Sequence, residues 1–293
     1  MSTPYGREKN LLKTKRYSMI VGAAASFLLL AAACGGDDDA PAKGTTASGS
    51  PAAAAAMPMQ AGAEKMKVAV SSPATGTKVT GNDVTLKVSA TGYDLTCDLA
   101  GKPTQEGKGH YHVEIDKSLV NMYCTPEATV SMQNVKPGKH TLTVLPAQDD
   151  HVEVMDNAVS VDIDYQPSAA RPEIKDATSA GKPSIKIVSP KAGDTVSGKF
   201  DIVVEVQNFN LSCDLYAKPS VAGYGHWHLN LDSTAGPMMG MGTMAGMSCE
   251  KVLHTSTDGL ASGSSHTLIA LLVDNGHAPL SPENSSKVEV KIK

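Results

Sequence analysis

Two stretches of this chain read as copies of one another, and that duplication limits what the chain can fold into more than any other feature. SSPATGTKVTGNDVTLKV (71–88) matches VSPKAGDTVSGKFDIVVEV (188–206), and DLTCDLAGKPTQEGKGHYHVEID matches NLSCDLYAKPSVAGYGHWHLNLD. GKHTLTVLPAQDDHVEV matches SSHTLIALLVDNGHAPL, and each copy closes on an alternating run, AVSVDID (158–164) or SKVEVKI (286–292). A repeat of roughly a hundred residues is domain-sized rather than solenoid-sized. Within each copy short period-2 runs (MKVAV, VTLKV, YHVEI, TVSM, HTLTVL, VSVDI in the first) are separated by Gly, Pro, Asn and Asp turn signals. No long 3.6-residue periodicity competes with them. About seven short strands per copy is the pattern of an immunoglobulin-like β-sandwich. The expected fold class is therefore all-β: two tandem sandwiches at 65–165 and 183–293, joined by a polar linker at 166–182.

The N-terminal segment places these domains outside the cytoplasm. Arg7, Lys9, Lys13, Lys15 and Arg16 precede an apolar run from Met19 to Ala33, which ends in small residues before Cys34. This is the build of a secretory signal peptide (1–33), and it is short of the roughly 20 apolar residues of a membrane-spanning helix. LLLAAAC-GG resembles a bacterial lipoprotein signal, which implies lipidation of Cys34 and anchoring to a membrane without crossing it. Residues 34–64 hold almost no large apolar side chain and read as a flexible tether. Of the 26 basic and 30 acidic residues, the signal takes five basic and one acidic, so the mature chain is net acidic. That balance argues against nucleic acid, whose binders carry basic patches.

One cysteine pair per copy remains after Cys34. In an oxidising compartment the parsimonious pairing is Cys97–Cys124 and Cys213–Cys249, each bond stabilising by roughly 3.5–4 kcal/mol in the chain-entropy account. Thiolate metal ligation is the alternative, but no C-x-x-C pair supports it.

Eight of nine histidines fall into two matching sets, His110, His112, His140 and His151, and His226, His228, His266 and His277. Imidazole is the commonest protein ligand for transition metals, so the sets are candidate metal ligands. On a strand, i and i+2 share a face. His110, His112, Glu114 and Asp116 therefore oppose Tyr111, Val113 and Ile115, and the second copy repeats this with Trp227, Leu229 and Leu231 as the apolar set. The histidines point away from the core, toward solvent or a groove covered by a loop. A second account stands beside ligation: imidazoles on an outer face that hydrogen-bond a covering loop such as 101–108. His140 and His266 open an apolar strand and can serve merely to cap the sheet edge. His151 and His277 sit in loops beside Asp149, Asp150 and Asp274, which would orient them.

The copies differ in one place. The second carries nine extra residues between His228 and Cys249, within GPMMGMGTMAGMSC. Met238, Met239, Met241, Met244 and Met247 offer soft thioethers that select Cu(I). Packing on a surface or partner is the other use for such a loop.

The opening SSPATGTKV and the PGKHTLTV strand leading into DDH or DNGH resemble CopC-like periplasmic copper-binding β-sandwiches. That resemblance implies Cu(II) binding by the loop histidine, here His151 and His277. The chain departs from the family at the N-terminus, where Cys34 and a tether stand in place of a ligand histidine. The G-H-x-H strand is similar to an uncharacterised family of small secreted bacterial domains.

No nucleophile elbow, zinc-protease, P-loop or dinucleotide motif is present, so no enzyme is expected. The sequence points to a membrane-anchored extracytoplasmic metal-binding lipoprotein for storage, buffering or delivery. Copper is the expected ion, zinc the alternative, and a protein partner or metal acceptor is implied. A cell-surface interaction protein with tandem domains and no metal is the second function class.

Overall fold

A computed structural model describes residues 59–177, 181–235 and 240–293. The expected signal peptide and the lipidation site Cys34 lie outside them, as do Met238 and Met239. The first repeat forms β1 (Lys67–Ser72), β2 (Thr77–Val79), β3 (Asp83–Thr91), β4 (Asp94–Leu95), β5 (Lys108–Ile115), β6 (Ser118–Tyr123), β7 (Glu127–Ser131), β8 (Gly138–Ala147) and β9 (Val159–Tyr165). The second forms β10 (Ser184–Ser189), β11 (Thr195–Val196), β12 (Lys199–Gln207), β13 (Asn210–Leu211), β14 (Tyr224–Leu231), β15 (Met244–Ser248), β16 (Val252–Ser256), β17 (Ser265–Val273) and β18 (Ser285–Ile292). Each repeat is a sandwich. Sheet β1-β3-β7 faces sheet β2-β9-β8-β5-β4, with β6 also on β5; β10-β12-β16 faces β11-β18-β17-β14-β13, with β15 on β14.

The alternation seen in the sequence builds both cores. Tyr111, Val113 and Ile115 of β5 meet Val84, Leu86 and Val88 of β3 and Leu142 and Val144 of β8. Trp227, Leu229 and Leu231 of β14 meet Ile202 and Val204 of β12 and Leu268, Ala270 and Leu272 of β17. Disulfides Cys97–Cys124 and Cys213–Cys249 join the turn after β4 or β13 to the end of β6 or β15. Disulfides persist in oxidising compartments, so the pair is consistent with an extracytoplasmic location.

One expectation changes. The end of the expected tether is folded: Ala63 is buried in the first core alongside Met66 of the first repeat, and Gln60 donates its backbone N–H to Gln148 Oε1 at 2.7 Å. The linker also packs down. Arg171 pairs with Asp83 at 2.7 Å and Asp214 at 3.3 Å, one carboxylate from each repeat.

The repeats are packed against each other. Tyr216, Met244, Met247 and Cys249 of the second repeat belong to the first repeat's apolar cluster. Lys102 Nζ donates to the carbonyl of Ser256 at 2.6 Å, and Lys199 pairs with Asp98 at 3.2 Å. Leu145, Ile269 and Leu271, on the outward faces of β8 and β17, are almost wholly buried.

Candidate metal centre

Strand β5 places His110 and His112 two residues apart on one face, and the loop after β8 returns His151 to the same point. The three rings meet through single nitrogens. His110 Nε2 lies 3.1 Å from His112 Nε2 and 3.1 Å from His151 Nδ1, and His112 Nε2 lies 3.2 Å from His151 Nδ1. The second repeat rebuilds this with β14 and the loop after β17. His226 Nε2 is 3.1 Å from His228 Nε2 and 3.0 Å from His277 Nδ1, and His228 Nε2 is 3.3 Å from His277 Nδ1. Metal bonds of about 2.0–2.1 Å at tetrahedral angles hold neighbouring ligand atoms about 3.3–3.4 Å apart. Both triangles match that spacing closely, and each group of three can hold a metal ion.

The surroundings set the tautomer of three of the six rings. His151 donates Nε2–H to the carbonyl of Met244 at 2.7 Å, and His277 donates Nε2–H to the carbonyl of Leu119 at 2.7 Å. In a neutral ring this leaves Nδ1 bare and aimed at the other two imidazoles. His112 Nδ1 lies 2.6 Å from Glu153 Oε1, which accepts its proton and leaves Nε2 bare. His110 and His226 keep Nδ1 buried with no hydrogen-bond partner among the described residues. Bare nitrogens of His112 and His151 in the first triad and of His277 in the second therefore face the remaining ring nitrogens, an arrangement that a cation can satisfy.

Burial favours the neutral ring at five of these histidines. It lowers His110, His226 and His228 well below the usual histidine range, and His151 to about 3, in each case reinforced by neighbouring imidazoles. His277 is also lowered by burial, against its bond to Leu119 and the charge of Asp274. The triads feel each other across the repeat interface: His151 acts on His228, and His112 acts on His277.

The histidines do lie opposite the apolar strand face, but they are buried rather than open to solvent. The second repeat covers the first triad and the first repeat covers the second. Loop 101–108 contributes to this cover, since Gly101 N donates to Asp149 O at 2.7 Å. Gly101 has φ +70, and a Cβ there would meet the Met244 carbonyl carbon at 2.5 Å.

His140 and His266 are not brought to the triads. His140 Nδ1 contacts Asp116 Oδ2 at 2.6 Å and its Nε2–H donates to the Lys136 carbonyl at 2.8 Å. His266 contacts Asp232 Oδ2 at 2.8 Å and Ser264 Oγ at 3.0 Å. Both tie the start of β8 or β17 to the turn after β5 or β14, the edge role that their place at a strand start allowed. His254 pairs with Asp201 at 2.6 Å on the surface.

The loop carboxylates also differ from expectation. Asp149 Oδ2 accepts the N–H of Gln105, Asp150 Oδ1 that of Val152, and Asp274 Oδ1 those of Gly276 and Ala278. They shape the loops, while backbone carbonyls orient the rings. Sequence reasoning passed over Glu153; its place two residues beyond His151 was the available signal. Met244 and Met247 are buried in the apolar cluster, with Met241 packed against it. They fill the interface between repeats, where flexible thioethers suit irregular gaps.

No family model and no curated protein matches this sequence. Among solved structures, the chain is similar to the fibronectin(III)-like modules of Clostridium thermocellum CbhA, at 14% identity over 77% of this chain and 94% of that one, TM-score 0.24. A Dscam structure matches at 9% identity over 77% and 46%, TM-score 0.21. The Bacteroides ovatus mixed-linkage glucan locus protein SGBP-B matches at 11% over 78% and 47%, TM-score 0.23. The chain spans about half the length of the last two. Likenesses this distant carry no argument.

Proposed function

We propose that this protein is an extracytoplasmic, membrane-anchored metal-binding lipoprotein that holds one transition-metal ion in each histidine triad, for storage, buffering or delivery. One observation carries the reading: in both repeats three imidazole nitrogens converge within 3.0–3.3 Å in a buried pocket. Three neutral nitrogens suit copper or zinc and suit calcium or magnesium poorly, since those ions take oxygen ligands. A three-histidine set also leaves a coordination position through which an ion can be passed on. With methionine sulfurs in the apolar cluster, the case for copper rests on the imidazoles rather than on thioethers.

Metal titration of tag-free protein by calorimetry, with elemental analysis, tests this. Two equivalents of copper or zinc should bind per chain, falling to one when His110 and His112, or His226 and His228, are changed to Ala. Absence of binding at micromolar metal would overturn the reading.

A further inference from the structure

The two triads share their geometry but not their surroundings. After His112 on the same strand face comes Glu114; after His228 comes Asn230, whose Nδ2 donates to the Gly240 carbonyl at 2.9 Å. Glu153, 2.6 Å from His112, pairs with Ala147 in an isolated bridge. In the second repeat the same bridge joins Val273 to Pro279, so no carboxylate stands there. Asp149, two residues before His151, is Asn275 in the second copy. Where the first repeat has Ala100, the second has Tyr216, whose ring packs edge-on against His226 at 4.5 Å and stacks over His277 at 6.0 Å. The exchange in the opposite sense is Asp274 for Gln148, and its Oδ1 is already turned to two backbone N–H groups.

These substitutions bear on the charge of the ion. Neutral imidazoles cancel none of it, and the Born cost of burying an ion grows with the square of its charge, so a divalent ion costs ~4 times as much as a monovalent one of equal size. A nearby carboxylate offsets that cost, and bonded to a ligand imidazole it also makes the imidazole a stronger donor. The first site has that carboxylate in contact. In those places the second has an aromatic wall, an amide and a proline.

We infer that the duplicated sites have diverged in the charge they accept: His110, His112 and His151 with Glu153 take a divalent ion, Zn(II) or Cu(II), and His226, His228 and His277 take Cu(I). This rests on the metal-binding reading above. It gives one chain two ion classes, with Glu153 as the residue that sets the difference.

The test uses the full chain in three forms: wild type, H226A/H228A to isolate the first site, and H110A/H112A to isolate the second. Each is titrated with Zn(II) against a chromophoric chelator and, without oxygen, with Cu(I) against bicinchoninate. The Zn(II)-to-Cu(I) affinity ratio should be at least about tenfold higher at the first site than at the second, the scale of outer-ligand effects. In the first-site chain, E153Q should weaken Zn(II) by roughly 10–100-fold and Cu(I) by less than about threefold. In the second-site chain, P279E should strengthen Zn(II). Wild-type chain offered both ions should carry one zinc and one copper by native mass spectrometry, a reading that needs no histidine variant to fold. Equal ratios at the two sites, a like-metal pair in the mixed loading, or E153Q weakening both ions alike would overturn the inference and leave the metal reading intact. Failure of folded wild-type chain to hold any of these ions would overturn both.

Discussion

His151 donates its Nε2 proton to the carbonyl of Met244, 2.7 Å away in the other repeat. The contact has a mirror image in His277 and Leu119, also at 2.7 Å. Each triad is thus finished by a backbone atom of the opposite sandwich, and docking of the repeats and orientation of the ligands become one event. Ions held by the triads should stabilise the packed pair. At free metal near 100 times Kd, each site adds about 2.7 kcal/mol, provided the unfolded chain does not bind. Two sites on a chain of this size should raise Tm by on the order of 10 °C or more. Calorimetric scans before and after chelation check this, and coincident scans would exclude ligation by the triads.

His140 and His266 should behave as structural residues. H140A removes contacts to Asp116 and Lys136 that tie β8 to the turn after β5. Each such bond contributes about 0.5–1.5 kcal/mol net, so a loss of about 1–2 kcal/mol in urea unfolding is expected, with metal stoichiometry unchanged. A lost equivalent of metal in H140A would return this residue to the ligand set.

That division between His140 and His151 marks the limit of what the chain's text discloses. Strand parity separates His110 and His112 from Tyr111 and Val113, because a side-chain period of two needs no tertiary knowledge. The disulfide partners follow from one pair per copy. Convergence of His112 with His151 across 39 residues depends on how β8 delivers its loop, and a histidine at a strand start looks no different in sequence from one in a ligand loop. The cover over the triads was harder still to read: it comes from the carbonyls of Met244 and Leu119, backbone atoms that carry no side-chain signature. The methionine cluster suggested ligands because softness is visible in composition, whereas the place of Met241, Met244 and Met247 in the interface between repeats is not.

The glycine of each G-H-x-H motif should tolerate no side chain. At Gly225 a Cβ would fall 2.1 Å from the Val273 carbonyl oxygen, and at Gly109 it would fall 2.4 Å from that of Ala147. Both obstacles are backbone atoms of the neighbouring strand, so relief requires β14 or β5 to move, and His226 or His110 moves with it. G225A should cost more than about 2 kcal/mol, in the range of overpacked buried sites. It should also weaken the second site while sparing the first. Wild-type stability by urea unfolding together with two full equivalents of metal would show that the strands have slack there.

Stability should rise with pH above neutrality and then fall. Burial lowers the Lys102 and Lys218 ammonium groups to about 8, against 10.5 for an ordinary lysine. Between pH 8 and 10.5 the unfolded chain therefore holds more protons than the folded one, and raising the pH favours the fold. The opposing groups are Tyr93, Tyr111, Tyr123, Tyr165 and Tyr216, whose phenols burial pushes up from 10. Above pH 10 unfolded tyrosines ionise while folded ones keep their protons, so stability declines. The urea midpoint, measured with the disulfides intact, should climb from pH 7.5 to a maximum near pH 10. In K102M the climb should be shallower, because only Lys218 still drives it. A wild-type midpoint that falls steadily from pH 7.5 to 10 would mean that neither lysine is held as deeply as its packing implies.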